Sequence, residues 1–95
     1  MKNIWPLVIL LGLAVPSSVP AAPSDDAKSY CTTKWESYRM QLYCVEQEEQ
    51  SRQRLSQRGA IEPAIWARCV QQWDSWRMVD YCVSQEEEAK RRLTR

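Results

Sequence analysis

The residues with the most chemical potential in this chain are four cysteines, Cys31, Cys44, Cys69 and Cys82, set as two pairs with 12 residues between partners. Thiols can exchange electrons, hold a soft metal or close a structural bridge. A thioredoxin-type redox site needs Cys-x-x-Cys, which does not occur here. Compact zinc modules space their ligands by only ~2–4 residues, so zinc is not expected. Met40 and Met78 lie near the cysteines and would suit Cu(I) if the thiols were free. Filling a core is the plainer use of an unbranched thioether, and it is the role expected of both. An even number of cysteines in an exported chain reads as a disulfide framework. Two structural disulfides are therefore expected, with no metal and no cofactor.

Other catalytic chemistry lacks its parts. Histidine is absent altogether, which removes the usual general base and the Ser–His and Cys–His pairings. Beyond the first 21 residues Gly59 is the only glycine, so a loop that cradles phosphate cannot be built. The chain carries 13 Lys and Arg against 12 Asp and Glu, and without Lys2 the two balance. A nucleic-acid binder would show a basic excess, so nucleic acid is not an expected partner. No catalytic residue is assigned and no enzymatic activity is expected.

Aromatic residues are the one surplus. Trp66, Trp73, Trp76 and Tyr81 crowd the second half, and Tyr30, Trp35, Tyr38 and Tyr43 the first. Trp66, Trp76 and Tyr38 form the candidate interaction patch, because exposed aromatics anchor interfaces. The plainer use of the same side chains is a seam between two packed units.

Those units are visible as a repeat. Residues 31–57 and 69–95 align without a gap at a period of 38, with 13 of 27 positions identical. Each copy is then one supersecondary unit. Within a copy the spacing is helical: Met40, Cys44, Gln47, Ser51 and Leu55 trace one stripe, and Met78, Cys82, Gln85, Ala89 and Leu93 repeat it. Upstream, Ala27, Cys31 and Trp35 recur at four-residue steps, as do Ile65, Cys69 and Trp73.

On one straight helix, cysteines 13 positions apart would diverge by about 140° and sit ~20 Å apart. A break near Glu36-Ser37 lies midway between them and folds them together, with Ser37 and Ser75 available as helix caps. The bridges expected are Cys31–Cys44 and Cys69–Cys82. The rivals are Cys31–Cys82 with Cys44–Cys69, as in a hairpin of two long helices, and pairing between subunits. Gly59 stops the first unit and Pro63 opens the next. The fold class is thus all-α, a tandem repeat of a disulfide-closed unit of short helix, tight turn and longer helix. The units span residues 22–58 and 59–95 and build one compact domain, with residues 22–25 a loose tail. Glu48 precedes Arg52, Glu86 precedes Lys90, Glu87 precedes Arg91 and Glu88 precedes Arg92, each by four, the favourable order for ion pairs along a helix.

Residues 1–21 read as a secretory signal peptide: a positive start at Lys2, an apolar run over residues 4–15, then small residues to Ala21. The run is interrupted by Pro6 and falls short of the ~20 residues that span a bilayer. Cleavage is expected before Ala22. The processed chain should have no stable membrane span and reside in the bacterial periplasm or outside the cell.

The pattern Cys-x3-Trp-x4-Met-x2-Tyr-Cys, present twice, resembles small exported bacterial proteins with tandem helical repeats, whose function is uncharacterised. The resemblance covers residues 31–57 and 69–95 and implies no activity. The twin cysteine pairs are also similar to the coiled-coil-helix domains of the mitochondrial intermembrane space. Those use a shorter interval that keeps both cysteines on one helix face, and they lack a cleaved leader. The function expected is non-enzymatic binding of a protein partner in the cell envelope, or a structural role. The alternatives are cysteine-based redox or soft-metal handling, and a small ligand or glycan held by tryptophans.

Overall fold

The computed structural model describes residues 22–95, so the signal peptide expected over residues 1–21 lies outside the described residues. Four helices follow one another: α1 (Ala27–Lys34), α2 (Tyr38–Gln57), α3 (Pro63–Gln72) and α4 (Trp76–Leu93). Strands are absent among the described residues. None of these helices is long and apolar enough to cross a membrane.

Local chemistry sets the boundaries. The Asp26 side chain accepts from the Ser29 amide at 3.0 Å and starts α1. Ser37 and Ser75 cap α2 and α4, their hydroxyls accepting from the amides of Met40 and Met78, both at 3.4 Å. Trp35 and Trp73 leave the helix in extended backbone, which turns the chain between short and long helix. Pro63 sits in the first turn of α3, where its missing N–H costs nothing. The fold-back brings Cys31 to Cys44 and Cys69 to Cys82, each pair with Cα atoms 5.7 Å apart. The hairpin pairing is thereby excluded.

Each short helix packs on its own long helix, and the long helices pack on each other. The main core lies in the second unit. Leu55 of α2 joins Ile65, Cys69, Val79, Cys82 and Val83, with Trp66, Trp73 and Trp76 packed around them. Val79 and Val83 fall off the stripe read from the repeat, while Gln85, Ala89 and Leu93, which lie on it, are exposed. The physical reason is that α4 must meet α2 as well as α3, and α2 takes the adjoining face.

The units are related by translation along α2. Contacts climb both long helices together, from Glu48 with Ser75, through Arg54 with Asp80 at 2.9 Å, to Arg58 with Glu87, so α2 and α4 run parallel. Partners are separated by 26 to 29 residues, roughly ten fewer than the repeat period, and α4 is therefore advanced by ~15 Å at 1.5 Å per residue. Helix lengths explain the slide. α2 has 20 residues and α3 has 10. At the same rise α3 carries the chain back only about half the length of α2, so α4 begins opposite the middle of α2.

Glu48 occupies that middle and is 5% exposed. One of its oxygens accepts from the Trp76 amide at 2.7 Å. The other accepts from the Arg77 amide at 3.4 Å and from the Ser75 hydroxyl. A carboxylate on first-turn amides also suits the positive end of the helix dipole. The expected Glu48–Arg52 pair is thus replaced. Arg52 instead reaches Asp25 at 3.3 Å, Lys90 reaches Glu62 at 2.7 Å, and Glu87 takes Arg58. Of the four pairs read along the helices, Glu88–Arg92 forms, at 3.1 Å. Of the others, Glu48 and Glu87 take partners in the other unit, Arg52 and Lys90 reach residues of their own unit outside their helix, and Arg91 pairs with Glu88 one turn away on α4. The tail over residues 22–25 is tied down too, the Trp76 indole N–H donating to the Ser24 carbonyl at 2.9 Å.

Glu48→Ala strands a buried hydroxyl and two helix-end amides, which should cost about 2–3 kcal/mol. Glu86→Ala, at the same place in the other copy, should cost under ~0.5 kcal/mol as a surface change. Urea unfolding of the two variants checks this, and equal losses would refute the assignment.

Candidate functional site

The advance of α4 leaves the first half of α2 without a long-helix neighbour. Met40, Cys44 and Gln47, on the stripe that continues into the core as Ser51 and Leu55, face a cleft between the units. Its volume is about 410 Å³. Trp35 and Tyr43 wall one side and Trp73 and Met78 the other, with Tyr30 and Lys34 of α1 at the mouth. The lining is thus largely aromatic and thioether in character, with Lys34, Asp74 and Arg77 as charged neighbours and Glu48 buried beside it.

The polar groups nearby are largely engaged. Glu48, at the base, is held by the start of α4. Asp74 accepts from the Tyr30 hydroxyl at 3.5 Å, which links α1 to the turn before α4. Lys34 places its ammonium 5.4 Å from the Tyr30 ring centre, a cation–π contact. Arg77 adds a second positive charge to the rim. The arrangement can desolvate an apolar side chain and offers cations to anything acidic that follows it.

The four cysteines are consumed in the two disulfides, and no free thiol is present among the described residues. Nor do any three Cys, Asp or Glu side chains converge there as a metal site. Met40 and Met78 both line the cleft.

Of the patch read from the sequence, the structure joins two members and parts the third. Trp66 and Trp76 stack with ring centres 6.2 Å apart and planes at 27°, half-buried against the core. Tyr38 stands apart on the first unit, 86% exposed, and lines a shallower groove with Leu42 and Val45. The cleft itself gathers residues that sequence reading had left as core or seam. The signal that could have found it is the mismatch in length between α2 and α3.

At the end of α4 the hydrogen bonds of Arg91 and then Arg92, with the Arg91 charge, hold the Glu88 carboxyl below its usual range. A lowered carboxylate favours the fold above its unfolded value and loses that contribution as pH falls through the lowered one. Glu88 is partly exposed and is not among the residues that line the cleft.

The fold and these surfaces define a disulfide-braced tandem of helical hairpins. No protein-family model, curated protein or solved structure matches the chain.

Cys44 lines the cleft, and Cys69 and Cys82 lie in the core. Replacing Cys69 and Cys82 together by Ser should cost ~3 kcal/mol in the chain-entropy account. It should free α3 and expose Trp66, Trp73 and Trp76, red-shifting their emission. Unchanged emission and helicity together with lost binding would instead assign the sulfurs a chemical role.

Proposed function

We propose that this chain is an exported, non-enzymatic binding module that recognises a protein partner in the cell envelope through the cleft between its units. The observation that carries the reading is the cleft: Trp35, Tyr43 and Trp73 around two methionines, partly open to solvent. Aromatic anchors in desolvated pockets dominate binding energy, and methionine adapts to the shape of an incoming side chain. The signal-peptide reading of residues 1–21, the two disulfides and the resemblance to small exported bacterial proteins support an oxidising compartment. The size of the cleft also falls within the range of small-molecule pockets, which keeps a small ligand as the second reading.

A photo-crosslinking side chain placed at Tyr43, on the rim, separates the two in cells that export the chain. A protein partner should give one discrete adduct, absent when the probe sits at Gln53 outside the cleft. Trp35→Ala should weaken capture by ~30-fold if that ring is an anchor worth about 2 kcal/mol. Identical adducts from Tyr43 and Gln53 would contradict the reading. A cleft blocked by a small molecule extracted with the protein would establish the second one.

A further inference from the structure

The contact between the two units is heterologous: one face of the first unit meets a different face of the second. The first supplies Glu48, Arg54 and Leu55 from the C-terminal half of α2. The second supplies the start of α4, with Ser75, Val79 and Val83. Because the units are copies, each face occurs twice, and the contact uses one of each. The face like that of Ser75 remains open on the first unit, and the face like that of Glu48 remains open on the second. A heterologous contact between identical units closes into a ring only where its rotation allows and otherwise repeats as an open chain, and units related by translation repeat it as an open chain.

We infer that the chain associates end to end with further copies of itself, Glu86 and Leu93 of one copy docking on the groove beside Tyr38, Leu42 and Val45 of the next. This inference goes beyond the cleft and uses a different surface. Residues on both open faces match those of the internal contact. Ser37, Arg39 and Val45 stand where Ser75, Arg77 and Val83 do, and Glu86 and Leu93 where Glu48 and Leu55 do. Leu55 is buried in the core, yet Leu93 is 85% exposed. The groove that would receive it has a volume of about 370 Å³, with Leu42 60% exposed in its wall.

Charge agrees with the same register. Inside the chain Glu87 takes Arg58. Glu49, the counterpart of Glu87, lines the groove, and Arg95 lies one residue short of the counterpart of Arg58. Glu86 would reach the amides of Tyr38 and Arg39, which have no acceptor within α2. Leu42 replaces Asp80, so the groove offers the methylene stem of Arg92 an apolar wall in place of an ion pair.

The end-to-end contact is weaker than the internal one. Ala27, Lys28 and Gln41 occupy the places of Ile65, Trp66 and Val79, removing much of the apolar area that fixes the units to each other. Assembly is accordingly reversible, over the micromolar-to-millimolar range of weak contacts.

Sedimentation velocity on the oxidised protein tests this. Its mean mass should rise steadily with concentration, beyond that of a dimer. Tyr38→Glu puts a carboxylate where Glu86 would dock, and Leu93→Asp charges the opposite end. Both alter exposed side chains, so circular dichroism should be unchanged, and each variant alone should stay monomeric. Mixed together, each supplies the face that the other lacks, and the mixture should form a one-to-one dimer and nothing larger. A wild-type protein that is monomeric at millimolar concentration would overturn the inference. So would variants that assemble like the wild type, a wild-type mass that stops at a dimer, or a mixture that stays monomeric.

Discussion

Glu48 holds the two units in register, and the remaining surfaces depend on where it does so. The carboxylate takes the Trp76 and Arg77 amides and the Ser75 hydroxyl, the first groups that α4 presents as it starts. Backbone amides at a helix start have no partner of their own, and a buried site makes leaving them unpaired costly. A ten-residue α3 delivers them to the midpoint of α2. Had α3 matched α2 in length, the units would lie level, and the same carboxylate would face Glu86 near the middle of α4.

Two consequences follow from that slide. Half of α2 is left beside a gap, which becomes the aromatic cleft lined by Met40, Cys44 and Tyr43. The opposite half is covered, which brings Leu55 into the core of the second unit. The disulfides make the arrangement tolerable for so small a core. Each closes a 12-residue loop and contributes ~3 kcal/mol in the chain-entropy account, so the short helices stay folded back without a large apolar face of their own. The first unit needs this most, since Ala27 and Cys31 are the buried apolar residues that α1 supplies.

What was legible in the sequence was local. The breaks at Ser37 and Ser75, the stop before Gly59 and the start at Pro63 all depend on residues within a turn of one another. The local cysteine pairs were the expected ones because positions 13 apart diverge around a straight helix, while the hairpin pairing stayed open as a rival until the fold-back was seen. Glu48 was not legible: its partners are 27 to 29 residues away, and i+4 spacing offered Arg52 as a nearer one. The same distance hid the pairs of Arg54 with Asp80 and Arg58 with Glu87. Of the aromatic patch, Trp66 and Trp76 do stack, but Tyr38 shares only a repeat position with Trp76 and not its surroundings. A shared repeat position reports what two units have in common in sequence, whereas burial reports which neighbour each unit has.

The repeat also supplies its own control for the central contact. Tyr38 and Arg39 begin α2 as Trp76 and Arg77 begin α4, behind the same serine cap, yet only the latter pair meets a carboxylate. Amide hydrogen exchange at low protein concentration compares the four positions directly in one molecule. The Trp76 amide should exchange at least about tenfold more slowly than that of Tyr38, the effect of a bond worth ~1.4 kcal/mol, and Glu48→Gln should narrow the difference. Equal exchange at Trp76 and Tyr38 in the unaltered protein would mean that Glu48 does not hold the second unit in place.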